Sequence, residues 1–344
     1  MTTDVAKFRP LDLLRRDPHL SRLTGLLLIL LVFFAVAKPG PFTSVRTWQS
    51  MAVQFPEYGI LALGVMLTMI TAGIDLSVVG IANMTAIASA SVMLSLAPQG
   101  SEVDPTLAIL AAVAVSLALG AAAGVLNGIL VARIRIPAIL VTLGTLELFT
   151  GIAIIITEGK PLSGLPSAYS SVVGGRLFGV VPVPLIIFIV VALIVGFLLR
   201  RMTYGKKLYM VGTNATAARF SGLNNDGLLI LTYMMSGLCA SIAGLVMLAN
   251  YNSAKADYGV TYTLLTVLIV VLGGVNPNGG SGKLIGVVLA IAVLQILSSG
   301  LNMFPGISNF YRPLIWGGVL LLVISTSDIG RGWTRRLRRK ESQE

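Results

Sequence analysis

The amino-acid sequence predicts an all-α, polytopic membrane protein, a helical bundle of about ten transmembrane helices with both termini cytoplasmic. The first observation is composition: 55% of the 344 residues are hydrophobic, only 11% are charged, and the mean hydropathy is +0.88. A soluble domain carries about a quarter charged residues. The second observation is a series of long apolar runs, and the third is the clustering of Lys and Arg at their ends. Together they predict a chain whose surface mostly faces lipid.

Ten apolar runs approach the length of about 20 residues that a membrane-spanning helix needs. The eighth run and the turn after Asp75 are interrupted by Gly, Asn, Pro or a charge. In chain order the predicted spans are Leu23–Ala37, Met51–Thr71, Ser77–Leu96, Leu107–Val131, Pro137–Thr157, Leu185–Leu199, Leu228–Leu248, Tyr262–Gly274, Leu284–Met303 and Pro313–Ser325.

The basic residues predict the orientation, since Lys and Arg are enriched in cytoplasmic loops. With the N-terminus inside, most of the 25 Lys and Arg residues fall in cytoplasmic segments, whereas an odd number of spans would place the basic C-terminal tail outside. We therefore expect residues 1–22 to form a cytoplasmic N-terminal segment and residues 23–328 a transmembrane domain. Residues 329–344 are expected to form a basic cytoplasmic tail that is attracted to anionic lipid.

Composition also argues against several classes of function. The net charge of +11 suggests nucleic acid, but the cations lie in short clusters at the ends of apolar runs, which favours membrane orientation instead. Cys239 and His19 are the single cysteine and histidine, so the chain has no metal-binding spacing and no catalytic set of a nucleophile with a base. We expect no catalytic residue, no metal and no cofactor bound by this chain.

Asp75 is the first candidate functional residue, in Ala72-Gly-Ile-Asp-Leu-Ser-Val-Val-Gly80 between two apolar runs. A carboxylate near the membrane is costly and is a functional or a strongly paired residue by default. Two interpretations remain open. Asp75 or Ser77 caps the first N–H groups of the next helix, or Asp75 contacts a solute directly.

Other polar residues inside the predicted spans are candidates for a solute pathway. Glu147 lies within the fifth span, where it either lines a polar pathway or pairs with a neighbouring helix. For the uncharged residues, hydrogen bonds between helices are the competing explanation. They are Asn83, Asn127, Thr142, Thr145 and Gln295.

The segment 201–226 is the longest polar, basic stretch between two apolar spans. It predicts a short amphipathic helix on the cytoplasmic face, capped at its start by Thr213 or Asn214 and ended by Gly222 in the left-handed conformation. Such a helix is too short to be stable alone and needs a partner surface. We interpret it as a lever on which another protein pushes.

The segment Asn278-Gly-Gly-Ser-Gly-Lys283 superficially resembles a phosphate-binding loop. It fails the spacing test, because Pro277 stands where the first glycine belongs and Leu284 stands where Ser or Thr belongs. If ATP is used, another polypeptide hydrolyses it.

Four motifs give the chain a resemblance to a known family. They are Ala72-Gly-Ile-Asp-Leu-Ser-Val-Val, the run Asn127–Ala132 followed by Ile136–Thr145, the loop Thr203–Leu223, and the glycine-rich stretch Gly273–Gly282. In these motifs the chain resembles the permease subunits of bacterial ATP-binding-cassette importers of the ribose, xylose and autoinducer class. The resemblance covers nearly the whole chain after residue 50.

The resemblance implies a permease domain at 23–328 in the bacterial inner membrane, with a cytoplasmic coupling loop at 201–226. It implies that this chain imports a monosaccharide or similar hydroxylated solute and that partner subunits hydrolyse ATP with Mg. Further implied partners are a periplasmic or lipid-anchored sugar-binding protein and a second permease chain, identical or different. The residues implied to contact the ATPase are Asn214, Ala217, Ala218, Arg219, Phe220 and Gly222.

Two rival functions remain. An ion-driven secondary transporter would need intramembrane carboxylates and broken helices, and Asp75 and Glu147 provide a minimal version of these. A membrane-embedded enzyme would need a nucleophile, base or metal set, for which the chain offers little.

Overall fold

The computed structural model describes residues 17–98, 103–306, 311 and 314–318. The described chain is mostly helical. In order, its helices are α1 (Pro18–Ala37), α2 (Pro39–Thr43), α3 (Val45–Ile70), α4 (Val78–Leu96), α5 (Thr106–Ala132), α6 (Ala138–Thr157), α7 (Ser167–Val173), α8 (Val183–Arg200), α9 (Thr203–Thr213), α10 (Ala215–Phe220), α11 (Asn225–Tyr251), α12 (Tyr262–Leu272) and α13 (Leu284–Leu301).

Four strands of two residues each lie in the connections between these helices. Strand β1 (Leu162–Ser163) pairs antiparallel with β4 (Ser253–Ala254), and β2 (Arg176–Leu177) pairs antiparallel with β3 (Val181–Pro182).

Within the described residues, eight helices are long and apolar enough to cross a membrane: α1, α3, α4, α5, α6, α8, α11 and α13. They confirm the first seven predicted spans and the ninth. The predicted eighth span is a shorter helix, α12, of 11 residues. It ends at Leu272 because the chain turns at Gly273 and Gly274, and Gly274 adopts φ +82°.

Several sequence predictions fall outside the described residues. Most of the tenth span, Pro313–Ser325, is among them, together with the basic tail and nearly all of the N-terminal segment. The count of about ten spans therefore remains a prediction.

Helices α3 and α11 form the centre of the bundle. The sequence of α3 from Pro56 to Ile70 is mostly apolar on all sides, and every residue of this stretch is buried. Such a helix needs neighbours all round. By contrast, α1, α6 and α8 expose large apolar side chains, which include Val36, Ile155 and Leu193. These outer faces are suited to contact with lipid.

Small residues allow α5 and α11 to approach with almost no side chains between their backbones. A Cβ atom on Gly124 would lie 2.3 Å from the carbonyl oxygen of Tyr233, and one on Gly120 would lie 2.6 Å from that of Gly237. Gly120, Gly124 and Gly128 therefore allow close packing of the two helices.

The connections define two ends of the bundle. At one end, here called the α10 end, the Gly280 N–H donates to the Ile70 carbonyl at 2.9 Å, and Lys283 forms an ion pair with Asp17 at 2.7 Å. At the opposite end, here called the β1/β4 end, the β1/β4 pair lies next to α4 and α11, and the β2/β3 pair lies next to α3 and α8. Gln49 at the start of α3 donates to the Val180 carbonyl there. Polar groups gather at both ends.

Candidate functional site

Helix α10 is short and is capped at both ends by its own sequence. The Asn214 side-chain oxygen accepts the Ala217 N–H at 2.9 Å, and the Leu223 N–H closes the last turn on the Ala218 carbonyl at 3.1 Å. Gly222 adopts φ +80°, the left-handed region that favours glycine. The predicted short capped helix with a glycine stop is therefore confirmed, and Asn214 is the cap.

One side of α10 is anchored and the other is open. Ala218 is buried, and the Asn225 amide of α11 donates to the Ala215 carbonyl at 2.7 Å. Phe220 is 88% exposed, and Arg219 is exposed with a loose ion pair to Asp226 at 3.5 Å. A large apolar side chain in such a position is typical of an interaction surface.

A groove of about 340 Å³ lies between α9 and α10 beside this open side. Of the residues implied to contact an ATPase, Asn214, Ala217 and Ala218 line it. The exposed face of α9 next to the groove carries Lys206 and Lys207. The α10 end thus presents a concave, basic surface with one protruding phenylalanine.

Asp75 lies in the break between α3 and α4 and is fully buried. Its Oδ1 accepts the Ser77 N–H at 3.0 Å and the Ser77 hydroxyl at 2.6 Å, and its Oδ2 accepts the Ser236 hydroxyl at 2.7 Å. The carboxylate therefore holds the start of α4 and ties it to α11. Asp75 bonds the N–H of Ser77, the residue just before α4, whereas no side chain caps the first N–H groups of α4 itself, so the predicted cap is not observed in that form.

Asn127 and Thr142 join Asp75 at this break. The Asn127 amide donates to the Ser77 hydroxyl at 2.8 Å, and the Thr142 hydroxyl donates to the Ile74 carbonyl at 3.0 Å. The Asn127 Oδ1 atom and the nearby Tyr233 hydroxyl are buried without a hydrogen-bond partner. Three of the predicted pathway residues thus belong to one buried polar cluster.

The other predicted pathway residues lie elsewhere. Asn83 donates to the carbonyls of Ala256 and Tyr258, both at 2.8 Å, and so anchors the loop before α12. Gln295 on α13 accepts the Tyr58 hydroxyl and donates to Ser299 at 2.9 Å. The Thr145 hydroxyl makes only a long bond, 3.4 Å, to the Thr142 carbonyl of its own helix.

Glu147 lies at the middle of α6 on its exposed face. None of the four ion pairs among the described residues involves it. Gly144, one turn earlier on the same face, has no atom near the position of a Cβ.

Glu57, which the sequence analysis did not identify, is the second carboxylate buried in the bundle. It is 2% exposed on α3. Its Oε1 accepts the Asn250 amide at 2.9 Å, and its Oε2 accepts the hydroxyls of Tyr251 at 2.6 Å and Tyr262 at 3.1 Å. A lone acid inside the predicted span Met51–Thr71 was the available signal, because intramembrane charge is costly.

The chemistry of these sites is binding and positioning. Among the described residues no group of three His, Cys, Asp or Glu side chains is arranged to hold a metal ion. The buried polar clusters tie helices together at their breaks and ends, and α10 presents an exposed phenylalanine at the surface. A bundle of eight long apolar helices with polar groups at its two ends defines a multi-pass integral membrane protein.

Comparison with known proteins identifies the family. The chain belongs to the family described as branched-chain amino acid transport system, permease component, which it matches over residues 48–324. It is 33% identical to the ribose import permease protein RbsC of Escherichia coli (strain K12) over 302 residues, which are 87% of this chain and 90% of that protein.

Two further relatives are similar over comparable lengths. Identity is 28% with the D-allose transport system permease protein AlsC of Escherichia coli (strain K12), over 87% of this chain and 89% of that protein. It is 30% with the autoinducer 2 import system permease protein LsrD of Photorhabdus temperata, over 93% and 96%. No solved structure matches the chain. These findings confirm the resemblance drawn from the four motifs: the protein is a multi-pass permease subunit and not an enzyme.

Proposed function

We propose that this chain is the permease subunit of an ATP-binding-cassette importer that carries a monosaccharide or a similar hydroxylated solute into the bacterial cytoplasm. The observation that carries the proposal is α10, a capped surface helix with an open basic face and an exposed phenylalanine. Relatives whose names specify ribose, D-allose and autoinducer 2 support the class of solute. The mechanism is alternating access, in which separate ATPase subunits bind ATP together with Mg and hydrolyse the ATP, and so shift the helix bundle between two arrangements.

The proposed placement is the inner membrane, with about ten spans and both termini in the cytoplasm. The α10 end carries Arg200, Arg201, Lys206 and Lys207, all exposed. Because basic segments favour the cytoplasmic side, this end faces the ATPase. The β1/β4 end then faces the periplasm and a sugar-binding protein delivers the solute there.

A second permease chain, identical or different, completes the proposed pathway. Glu147 supports this, because a carboxylate at the centre of a span costs several kcal/mol against lipid. The exposed face of α6 that carries it therefore lies against a second chain or against water in the pathway. In this proposal Glu147 lines the pathway, whereas Asp75, Asn127 and Thr142 fix the helix break beside it.

The rival function, an ion-coupled secondary transporter, has one observation in its favour. Asp75 and Glu57 are buried carboxylates, and in the described part of the chain neither has a Lys or Arg in an ion pair. Both are fully engaged by neutral donors, however, and these hydrogen bonds provide the compensation that a buried acid requires.

The two functions differ in their source of energy, which is ATP for the importer and an ion gradient for the secondary transporter. The permease, its ATPase and its binding protein are reconstituted in liposomes, and uptake of radiolabelled ribose, D-allose and autoinducer 2 is measured. We expect uptake of at least one of them only with ATP and all three components, with no effect of ionophores. Uptake that continues without ATP and collapses with the ion gradient would overturn the proposal.

A further inference from the structure

In the glycine-rich loop Gly273–Gly282, backbone N–H groups donate hydrogen bonds to carbonyl groups of the same chain. The Gly280 N–H donates to the Ile70 carbonyl at 2.9 Å, and the Gly279 N–H donates to the Asn276 carbonyl at 2.8 Å. Gly279 and Gly280 adopt φ +83° and +74°, which only glycine adopts without strain. Two of the N–H groups that could cradle a phosphate are thus already used, in agreement with the failed spacing test.

Three backbone segments meet at the tip of this loop without side chains between them. A Cβ on Gly212, near the end of α9, would lie 1.9 Å from the Ile70 carbonyl oxygen and 2.6 Å from the Gly280 nitrogen. A Cβ on Gly279 would lie 2.7 Å from the Gly212 oxygen and 2.8 Å from the Ala72 nitrogen. Close-packed groups transmit a displacement because no soft side chain or void can absorb it.

Both sides of this contact lead to a site already described. On one side, Gly212 is followed by Thr213 and then by Asn214, the cap of α10. On the other, Ala72 is three residues from Asp75, whose carboxylate holds the start of α4 and Ser236 of α11. The glycine contact therefore connects the segment that leads into α10 with the segment that leads into the buried helix break.

We propose that Gly212, Gly279 and Gly280 form a backbone joint that transmits movement of α10 to the Asp75 break. They are positioning residues for the coupling of ATP hydrolysis to transport, and the inference rests on the proposed function. Tyr209 strengthens the joint, since its hydroxyl donates to the Gly282 carbonyl at 2.8 Å. Burial raises the pKa of Tyr209, so this donor keeps its proton at neutral pH.

Two tyrosines of α9 provide a matched test. Tyr209→Phe removes the hydrogen bond to the loop, whereas Tyr204→Phe removes one to Thr232 of α11 at 2.9 Å and leaves the loop untouched. The readout is the number of solute molecules imported per ATP hydrolysed by the reconstituted importer. We expect Tyr209→Phe to lower this ratio about two- to threefold and Tyr204→Phe to leave it unchanged.

Gly212→Ala is the stronger perturbation, and its control is Gly25→Ala, a helical glycine with no atom within 4 Å of the added Cβ. We expect Gly212→Ala to hydrolyse ATP with little uptake and Gly25→Ala to behave as wild type. If Gly212→Ala is not recovered from the membrane, the comparison of Tyr209→Phe with Tyr204→Phe tests the proposed joint without it.

The proposed joint would be contradicted, with the proposed function intact, by either of two results. One is an equal fall in solute imported per ATP in both tyrosine variants, and the other is an unchanged ratio in Tyr209→Phe and Gly212→Ala. A wild-type complex without ATP-driven uptake would instead overturn the proposed function, and the joint with it.

Discussion

Asp75 and Glu57 are both carboxylates buried in the helix bundle, but their surroundings differ. Asp75 is held over short distances by Ser77 and Ser236, and all three residues are fully buried. Glu57 is held by longer side chains at the β1/β4 end, and one of its donors, Tyr251, is 43% exposed. Asp75 therefore fixes a helix break in a dry interior, whereas Glu57 joins α3, α11 and α12 where water is within reach.

The largest loss of stability is expected on truncation of Asp75, the carboxylate in the dry interior. Asp75→Ala leaves the Ser77 N–H and the hydroxyls of Ser77 and Ser236 without their acceptor, and each unsatisfied buried donor is costly. We expect a loss of about 3 kcal/mol in the free energy of unfolding, read as a lower melting temperature of the detergent-solubilised protein. Asp75→Asn, which keeps an acceptor for Ser77, is the control and is expected to lose less. Wild-type melting of Asp75→Ala would contradict the role assigned to this carboxylate.

Truncation of Glu57, the carboxylate that lies closer to water, should lower the free energy of unfolding by less. Glu57→Ala is expected to lower the free energy of unfolding by about 2 kcal/mol, because water can replace the acceptor of the Tyr251 hydroxyl. The same melting experiment ranks the two variants. Tyr251→Phe, which removes only the partly exposed donor, is expected to cost about 0.5 kcal/mol. A Glu57→Ala variant less stable than Asp75→Ala would reverse the comparison.

A third change should stabilise the chain next to Asp75. Ala72 adopts φ +63°, a left-handed conformation that strains a residue with a Cβ. Ala72 is exposed, so its methyl group contributes little packing. We expect Ala72→Gly to raise the free energy of unfolding by about 1 kcal/mol. A lower melting temperature would show that the positive φ is not a source of strain.

The smallest effect concerns a surface carboxylate that does have a cation. The hydrogen bond and charge of Lys283, with a further hydrogen bond from the His19 N–H, hold the pKa of Asp17 below its usual value. The stabilisation is fully present above the unfolded pKa of about 3.9 and is lost as the pH falls through the lower folded value.

Because the Lys283 side chain is 57% exposed, the contribution of the pair to the free energy of unfolding is below about 1 kcal/mol. Asp17→Asn keeps the oxygen that accepts the His19 N–H but removes the charge. Melting curves at pH 7 and at about pH 3, which is below the unfolded pKa, should show the difference between wild type and Asp17→Asn shrinking at the lower pH. A difference that grows toward acid would contradict this assignment.

The sequence predicted those features that depend on local physics. The apolar runs defined eight spans, Asn214 and Gly222 defined the bounds of α10, and the interruption around Asp75 located a helix break. The predicted eighth span was longer than the observed α12, because the run continued into Gly273 and Gly274 where the chain turns. Local sequence patterns do not show at which glycine the chain leaves the helical conformation.

The features that were missed depend on distant contacts. Glu57 receives its donors from Asn250, Tyr251 and Tyr262, about 200 residues further along the chain. The glycine-rich loop had a recognisable composition, but only the fold places it against Ile70 and Gly212. Glu147 was a candidate from its position within a span, yet no pattern predicted that it would lie on the exposed face of α6.

The central claim is that α10 receives the force that drives transport. The most direct measurement is ATP-driven uptake by the reconstituted importer with the double variant Arg219→Ala, Phe220→Ala. Arg176→Ala, Phe178→Ala at the β1/β4 end is the matched control for membrane yield, because Phe178 is also exposed, at 91%. We predict that the α10 variant reaches the membrane in the same amount as this control and as wild type but imports no solute. Uptake at the wild-type rate would contradict the account.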